Sequence, residues 1–149
     1  MQYAPAIVAL VQNHGGQPTG LHATFITPDG SRKAFADRSR VMFGEVMGGA
    51  VRLSGGAKGG DLGVAEGIET ALSFGLLNAI PCWAALSTAG LKAFRPPAAL
   101  DRLIIGADGD QTGREAAFHL AKEASARCEA VVIAAPEGRD WNDVLRGTA

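Results

Sequence analysis

The sequence has only two cysteines in 149 residues, Cys82 and Cys128, far apart and both in apolar or helical surroundings. That scarcity excludes a disulfide framework and a zinc ribbon, and it predicts two buried thiols in a cytoplasmic protein. Long apolar runs are also missing. None approaches the roughly 18 residues of a membrane helix. The apolar start "APAIVALV" is too short and lacks the basic flank of a signal peptide, so no membrane partner is expected. Net charge is −1, which excludes any whole-chain electrostatic attraction to nucleic acid or membrane. The histidines His14, His22 and His119 lack metal-ligand spacing and read as ordinary surface residues. What is present is a 47% apolar fraction, enough for one compact domain with a real core, and 20 glycines, which imply many turns.

The first 60 residues have one grammar and the rest another. "AIVALVQ" and "GLHATFIT" are β-prone runs separated by the turn-like "NHGGQPT". "PDGS" marks a second turn, after which "RKAFA" is placed to pair back, and "GAVRLS" is a further short strand. Residues 1–60 therefore read as a small antiparallel β-rich subdomain, with the flexible "SGGAKGG" as boundary. That segment is not a P-loop, because its Gly-to-Gly-Lys spacing is wrong and no helix carrying Ser or Thr follows.

Residues 61–149 alternate strand and helix. "LGVA" leads to "IETALSFGLLNA", with Ile68, Ala71, Leu72 and Leu76 at helical spacing. "CWAAL" is strand-like, Ser87 opens a turn before the short helical "AGLKAF", and "RLIIGA" is the strongest strand. Ala117, Leu120, Ala121 and Ala124 share one face of a helix predicted over 113–126. "AVVIAA" reads as a final strand covered on both faces. The pattern predicts an α/β fold with a four-stranded parallel sheet, right-handed crossovers and flanking helices.

Ligands of such sheets gather beyond the carboxyl ends of the strands. There the sequence places Glu66, and Asp108 and Asp110 around Gly109. In extended backbone, residues i and i+2 point to one side. Two adjacent carboxylates repel unless a hard cation joins them. The alternative is that both aspartates cap the following helix, although Gln111 and Thr112 also offer capping oxygens. Glu66 reads equally as a helix N-terminal acid, and Glu69 as a supporting or a solvated one. In "GRDWNDVLR", Asp140 and Asp143 have capping spacing and leave a strand's carboxyl end, so they read as a cap or as further acids of the cluster. Trp141 reads as an anchor. Ser87–Gly90 reads as a plain turn or as a phosphate-facing run of N–H groups.

"GVAEGIETALS", "IIGADGDQTGREAA" and "GRDWNDVL", in that order over residues 61–146, resemble the signatures of the Toprim domain in its phage- and plasmid-type DNA primase variant. The stretch through "GAVRLSGG" resembles the small domain that precedes it there. The resemblance implies a Toprim, Rossmann-like fold. It implies Glu66, Asp108 and Asp110 as catalytic metal-site acids for Mg²⁺ or Mn²⁺, with Asp140 and Asp143 as accessory acids. It implies nucleotidyl transfer from nucleoside triphosphates into an RNA primer on single-stranded DNA. A zinc-binding module and a replicative helicase are the partners it implies, and neither lies in these 149 residues, so weak primer synthesis by this chain alone is expected. The topoisomerase use of the fold needs a catalytic tyrosine, and the only tyrosine is Tyr3. A metal-dependent Toprim nuclease and a binding or assembly module remain as alternatives.

Residues 31–58 carry Arg32, Lys33, Arg38, Arg40, Arg52 and Lys58 against Asp37 and Glu45. Arg38, Arg40, Arg52 and Lys58 are read as a nucleotide- or nucleic-acid-binding set. A solvated sheet face is the alternative.

Overall fold

The computed structural model describes residues 3–55 and 59–147. β1 (Ala6–Gln12) and β2 (Pro18–Phe25) pair antiparallel. Their turn is closed by the Asn13 side-chain oxygen, which accepts the Gln17 N–H at 3.0 Å, and by Gly16 at φ +84°. The expected strand "RKAFA" contributes a single bridge, Lys33 to Ile26. Phe35 takes a left-handed φ of +59°, which turns the chain out of pairing. The third strand is instead β3 (Arg40–Gly44), with Arg40 opposite Thr24 and Met42 opposite His22.

β4 (Ala50–Arg52) pairs antiparallel with β1 on one side and with β6 (Cys82–Ala84) on the other. It stitches the N-terminal strands to the parallel ones. With β5 (Asp61–Ala65), β7 (Arg102–Ala107) and β8 (Glu129–Ala134), the described residues form one eight-stranded sheet in the order β3-β2-β1-β4-β6-β5-β7-β8.

The second part alternates as its pattern predicts: β5 (Asp61–Ala65), α1 (Ile68–Asn78), β6 (Cys82–Ala84), α2 (Thr88–Ala93), β7 (Arg102–Ala107), α3 (Gln111–Ala124), β8 (Glu129–Ala134) and α4 (Trp141–Arg146). Strands β6, β5, β7 and β8 run parallel. Period-two alternation splits the core into two layers. Leu62, Val64, Leu103 and Ile105 pack with Leu91 of α2 and with Ala117 and Leu120 of α3. Ala65 and Ile104 face the other way, toward Ala71 and Phe74 of α1 and Trp141 of α4. Gly106 is needed on that face, because a Cβ there would meet the Phe74 ring at 2.8 Å. Trp141 anchors α4 as expected. Its ring lies 5.0 Å from that of Phe74, and its Nε1–H donates to the Ala107 carbonyl at 3.1 Å.

Four expectations need correction. α1 turns Thr70, Ala71, Ser73 and Phe74 inward and leaves Leu72 and Leu76 exposed, because a small-residue face lets it lie close to the sheet and α4. α3 begins at Gln111, since Asp110 rather than Gln111 or Thr112 supplies the cap. β8 is an edge strand and mostly half-buried, not covered on both faces. His22 is buried at 3% exposure, not on the surface. Among the described residues, no helix is long and apolar enough to cross a membrane.

Candidate active site

From β5 the chain crosses to β6 on one side and later reaches β7 on the other. The carboxyl ends of β5 and β7 therefore flank the point where the winding reverses, which is where open α/β sheets leave a crevice. Glu66 follows β5 and Asp108 follows β7. Both line a cleft of about 200 Å³, together with Lys33, Arg40, Glu69, Thr70, Asp140 and Asn142.

Asp108 is the least comfortable group in it. Its Oδ1 is buried without a hydrogen-bond partner. Burial, then the charge of Glu66, then those of Asp140, Asp110 and Asp143, push its carboxyl up to about 7. Glu66 is better placed, since its Oε2 accepts the Thr88 hydroxyl at 2.9 Å. In the first turn of α2 the Gly90 N–H is already taken, because the Ser87 hydroxyl accepts it at 2.9 Å.

Asp110 behaves differently from Asp108. The strand ends at Ala107, so the same-side rule for extended backbone does not reach Asp110. The chain bends at Gly109, and the exposed Asp110 caps α3 by accepting the Gly113 N–H at 2.6 Å. It faces a separate cleft with Arg114 and Phe118. Asp140 and Asp143 form a capping box: Asp140 Oδ1 accepts the Asp143 N–H at 2.8 Å and Asp143 Oδ2 accepts the Asp140 N–H at 3.2 Å. Of the five acids read as metal-site acids by sequence, Glu66, Asp108 and Asp140 line the central cleft, Asp140 while also capping α4 through Oδ1; Asp110 and Asp143 do not line it and serve helix ends.

The donor chemistry of the cleft suits a hard divalent cation. It is all oxygen, it is mutually repulsive, and the buried Asp108 Oδ1 lacks a partner. As the side chains stand, no three His, Cys, Asp or Glu groups among the described residues are gathered closely enough to hold one.

The basic set divides. Arg40 reaches the cleft. Arg38 lies apart, beside Phe25 and Phe35. Arg52 has a structural job: its guanidinium sits 4.2 Å over the Trp83 ring and donates to the Asn13 and His14 carbonyls at 2.9 and 3.3 Å. Lys58 lies outside the described residues. Lys33, counted in the basic excess of residues 31–58 but left out of the binding set, pairs with Glu69 at 3.2 Å, and both line the cleft. Its sequence signals were that basic excess and its place in a segment expected to fold back on β2. His22 lies beneath this region. Burial first, and then Arg40, lower its pKa.

The Toprim domain model matches residues 61–149, and residues 1–53 match a domain of unknown function (DUF7146). No curated protein matches the sequence. Three solved structures with a similar fold are a DNA primase domain from Pseudomonas aeruginosa, the primase fragment of the bacteriophage T7 primase-helicase protein, and the RNA polymerase domain of Mycobacterium tuberculosis primase. The first is 16% identical with a TM-score of 0.63, covering 99% of this chain and 48% of that one. The second is 17% identical with a TM-score of 0.64, covering 99% and 61%. The third is 18% identical with a TM-score of 0.56, covering 98% and 55%. The chain thus spans about half to three-fifths of these structures, and at such identities the likeness establishes the fold.

Proposed function

Because the chain belongs to the Toprim family through residues 61–149, we propose that it is the divalent-metal-dependent nucleotidyl-transfer core of a DNA primase. The reaction joins nucleoside triphosphates into an RNA primer on a single-stranded DNA template. Support comes from the primase structures that share the fold. The observation that carries the reading is the partnerless Asp108 Oδ1, buried at a cleft lined by Glu66 and Asp140 and also by Arg40 and Lys33. Such a cleft offers carboxylate oxygen to a cation and positive charge to an anion within one small space.

Glu66, Asp108 and Asp140 would hold Mg²⁺ or Mn²⁺. When bound, the ion supplies charge neutralisation and orients the triphosphate against the primer 3′-hydroxyl. Asp108 is the residue that gains most, since it gives up its proton and its repulsion together. Asp110 and Asp143 would join only by leaving their helix caps. Thr88 holds Glu66 by its hydroxyl, which limits the carboxylate's freedom. Arg40 extends from the N-terminal sheet and would meet phosphate of the nucleotide or template. A zinc-binding module and a replicative helicase are the partners such a core would work beside.

The test is an assay with Mg²⁺ or Mn²⁺, single-stranded DNA and nucleoside triphosphates, scoring synthesis and cleavage together. Metal-dependent triphosphate binding with weak primer synthesis is expected. Robust strand cleavage with no nucleotide affinity would overturn the primase reading in favour of a nuclease.

A further inference from the structure

Lys33 and Glu69 come from opposite parts of the molecule. Lys33 lies in the 26–39 connection between β2 and β3, and Glu69 lies in the first turn of α1. Their side chains meet at 3.2 Å and both remain about half exposed, at 42% and 50%. A pair so open to water is weak and exchangeable. The connection is tied to β2 at Phe25, whose N–H donates to the Ser39 carbonyl at 2.8 Å, whose carbonyl accepts the Ala34 N–H at 2.8 Å and whose ring meets Phe35 at 5.8 Å; the Ile26–Lys33 bridge is internal to the connection. Lys33 and Glu69 both line the cleft that contains Glu66, Asp108, Asp140 and Arg40.

We infer that the Lys33–Glu69 pair is a clasp over this cleft, opened when a polyphosphate takes Lys33 from Glu69. The inference rests on the metal-dependent reading of the site and adds a regulatory contact to it. Without an anion, Glu69 occupies Lys33 and ties the 26–39 connection to α1. An entering polyphosphate offers Lys33 several oxygens instead of one carboxylate, and Arg40 adds a second cation beside it. A charge-assisted hydrogen bond to phosphate is stronger than a half-exposed ion pair, so the exchange is favourable once the cleft is filled. Glu69 thus weakens anion binding by competing for its lysine.

The experiment is calorimetric titration of the full chain with inorganic triphosphate in the presence of Mn²⁺, with Mn²⁺ alone titrated separately. Glu69→Gln should tighten triphosphate binding about threefold, the worth of one exposed pair. Lys33→Gln should weaken it roughly tenfold, and Lys33→Arg should restore most of the loss. In the Lys33→Gln background, Glu69→Gln should have no effect, because the competitor no longer has a lysine to hold. Unchanged or weaker binding by Glu69→Gln overturns the clasp, as does tightening that persists without Lys33, which would be simple loss of a repelling charge. Either result leaves the metal site standing if Mn²⁺ alone still binds. Failure of the wild-type chain to bind Mn²⁺ would overturn the metal-dependent reading and the clasp with it.

Discussion

The backbone N–H of Gly109 donates to the carbonyl oxygen of Arg139 at 2.8 Å. This bond, with the Gly138 N–H returned to the Gly109 carbonyl at 3.3 Å, docks the turn after β7 against the loop before α4. Asp108 and Asp140 are neighbours of the two bonded residues, so the contact brings carboxylates from distant parts of the chain to one cleft. Trp141 completes the join by reaching the Ala107 carbonyl.

The contact is possible only without a side chain at Gly109. A Cβ there would stand 1.9 Å from the Pro136 carbonyl oxygen and 2.8 Å from that of Arg139. Both obstacles are backbone, so the loop itself must retreat. Gly109→Ala should destabilise the protein by roughly 3 kcal/mol in denaturant titration, the range for forced overpacking. It should also weaken Mn²⁺ binding, since Asp140 retreats with the loop. A folded variant with native stability would show that the loop gives way at little cost.

Asp108 should make stability fall as pH rises. Its folded pKa is pushed up to about 7, above the ordinary carboxylate value of 3.8. Between these values the folded state holds more protons than the unfolded state, so unfolding becomes easier with increasing pH; above about 7 the penalty is complete and constant. Asp108→Asn removes it. At pH 8 the variant should be more stable than wild type by on the order of 1 kcal/mol, allowing for solvent screening of a partly exposed group. At pH 4 the two should coincide. Parallel stability curves across that range would place the burden of the acidic cleft elsewhere.

The two aspartates flanking Gly109 should respond with opposite signs. Asp110→Ala removes the cap of α3 and should cost about 1 kcal/mol without metal. Asp108→Asn should gain stability under the same conditions. Added Mn²⁺ should raise the wild-type Tm by mass action and leave the Asp108→Asn variant nearly unmoved. Glu66→Gln should blunt the response as well. Thermal melts of the four proteins with and without Mn²⁺ make the comparison. An equal Mn²⁺ shift in wild type and Asp108→Asn would remove Asp108 from the site.

Most of the parallel half was legible because its signals are local. "RLIIGA" ends at the site, and the period of 117, 120, 121 and 124 describes how α3 packs. Two kinds of information were not local. Leu72 and Leu76 look like a helix core, yet α1 turns its smaller residues inward to pack Phe74 over Gly106, a choice set by the neighbouring strand. Lys33 reaches the acidic cleft because the sheet is continuous through β4, which carries the N-terminal strands around to the switch point. In the acids, Asp110 realises the capping reading and Asp108 the cluster reading, while Asp140 realises both. Which applies depends on where the strand stops and the chain bends, and one residue's difference separates Asp108 in the cleft from Asp110 beyond the bend at Gly109.

The arginines of the N-terminal half should separate by location, although sequence alone grouped them. Arg40 lines the acidic cleft, and Arg38 stands by Phe25 and Phe35. Arg52 is engaged by Trp83 and two carbonyls. Arg40→Glu should weaken single-stranded DNA or triphosphate binding and flatten its dependence on salt, because one released counterion per lost phosphate contact sets that slope. Arg38→Glu should change both less. Arg52→Ala should leave the slope alone and lower stability by roughly 1–2 kcal/mol, from the lost cation–π contact and two carbonyl hydrogen bonds. Fluorescence anisotropy over a series of salt concentrations reads the slopes, and denaturant titration reads the stabilities. Equal slopes for wild type and Arg40→Glu would assign Arg40 to the solvated face. A flattened slope for Arg52→Ala at unchanged stability would return Arg52 to the binding set.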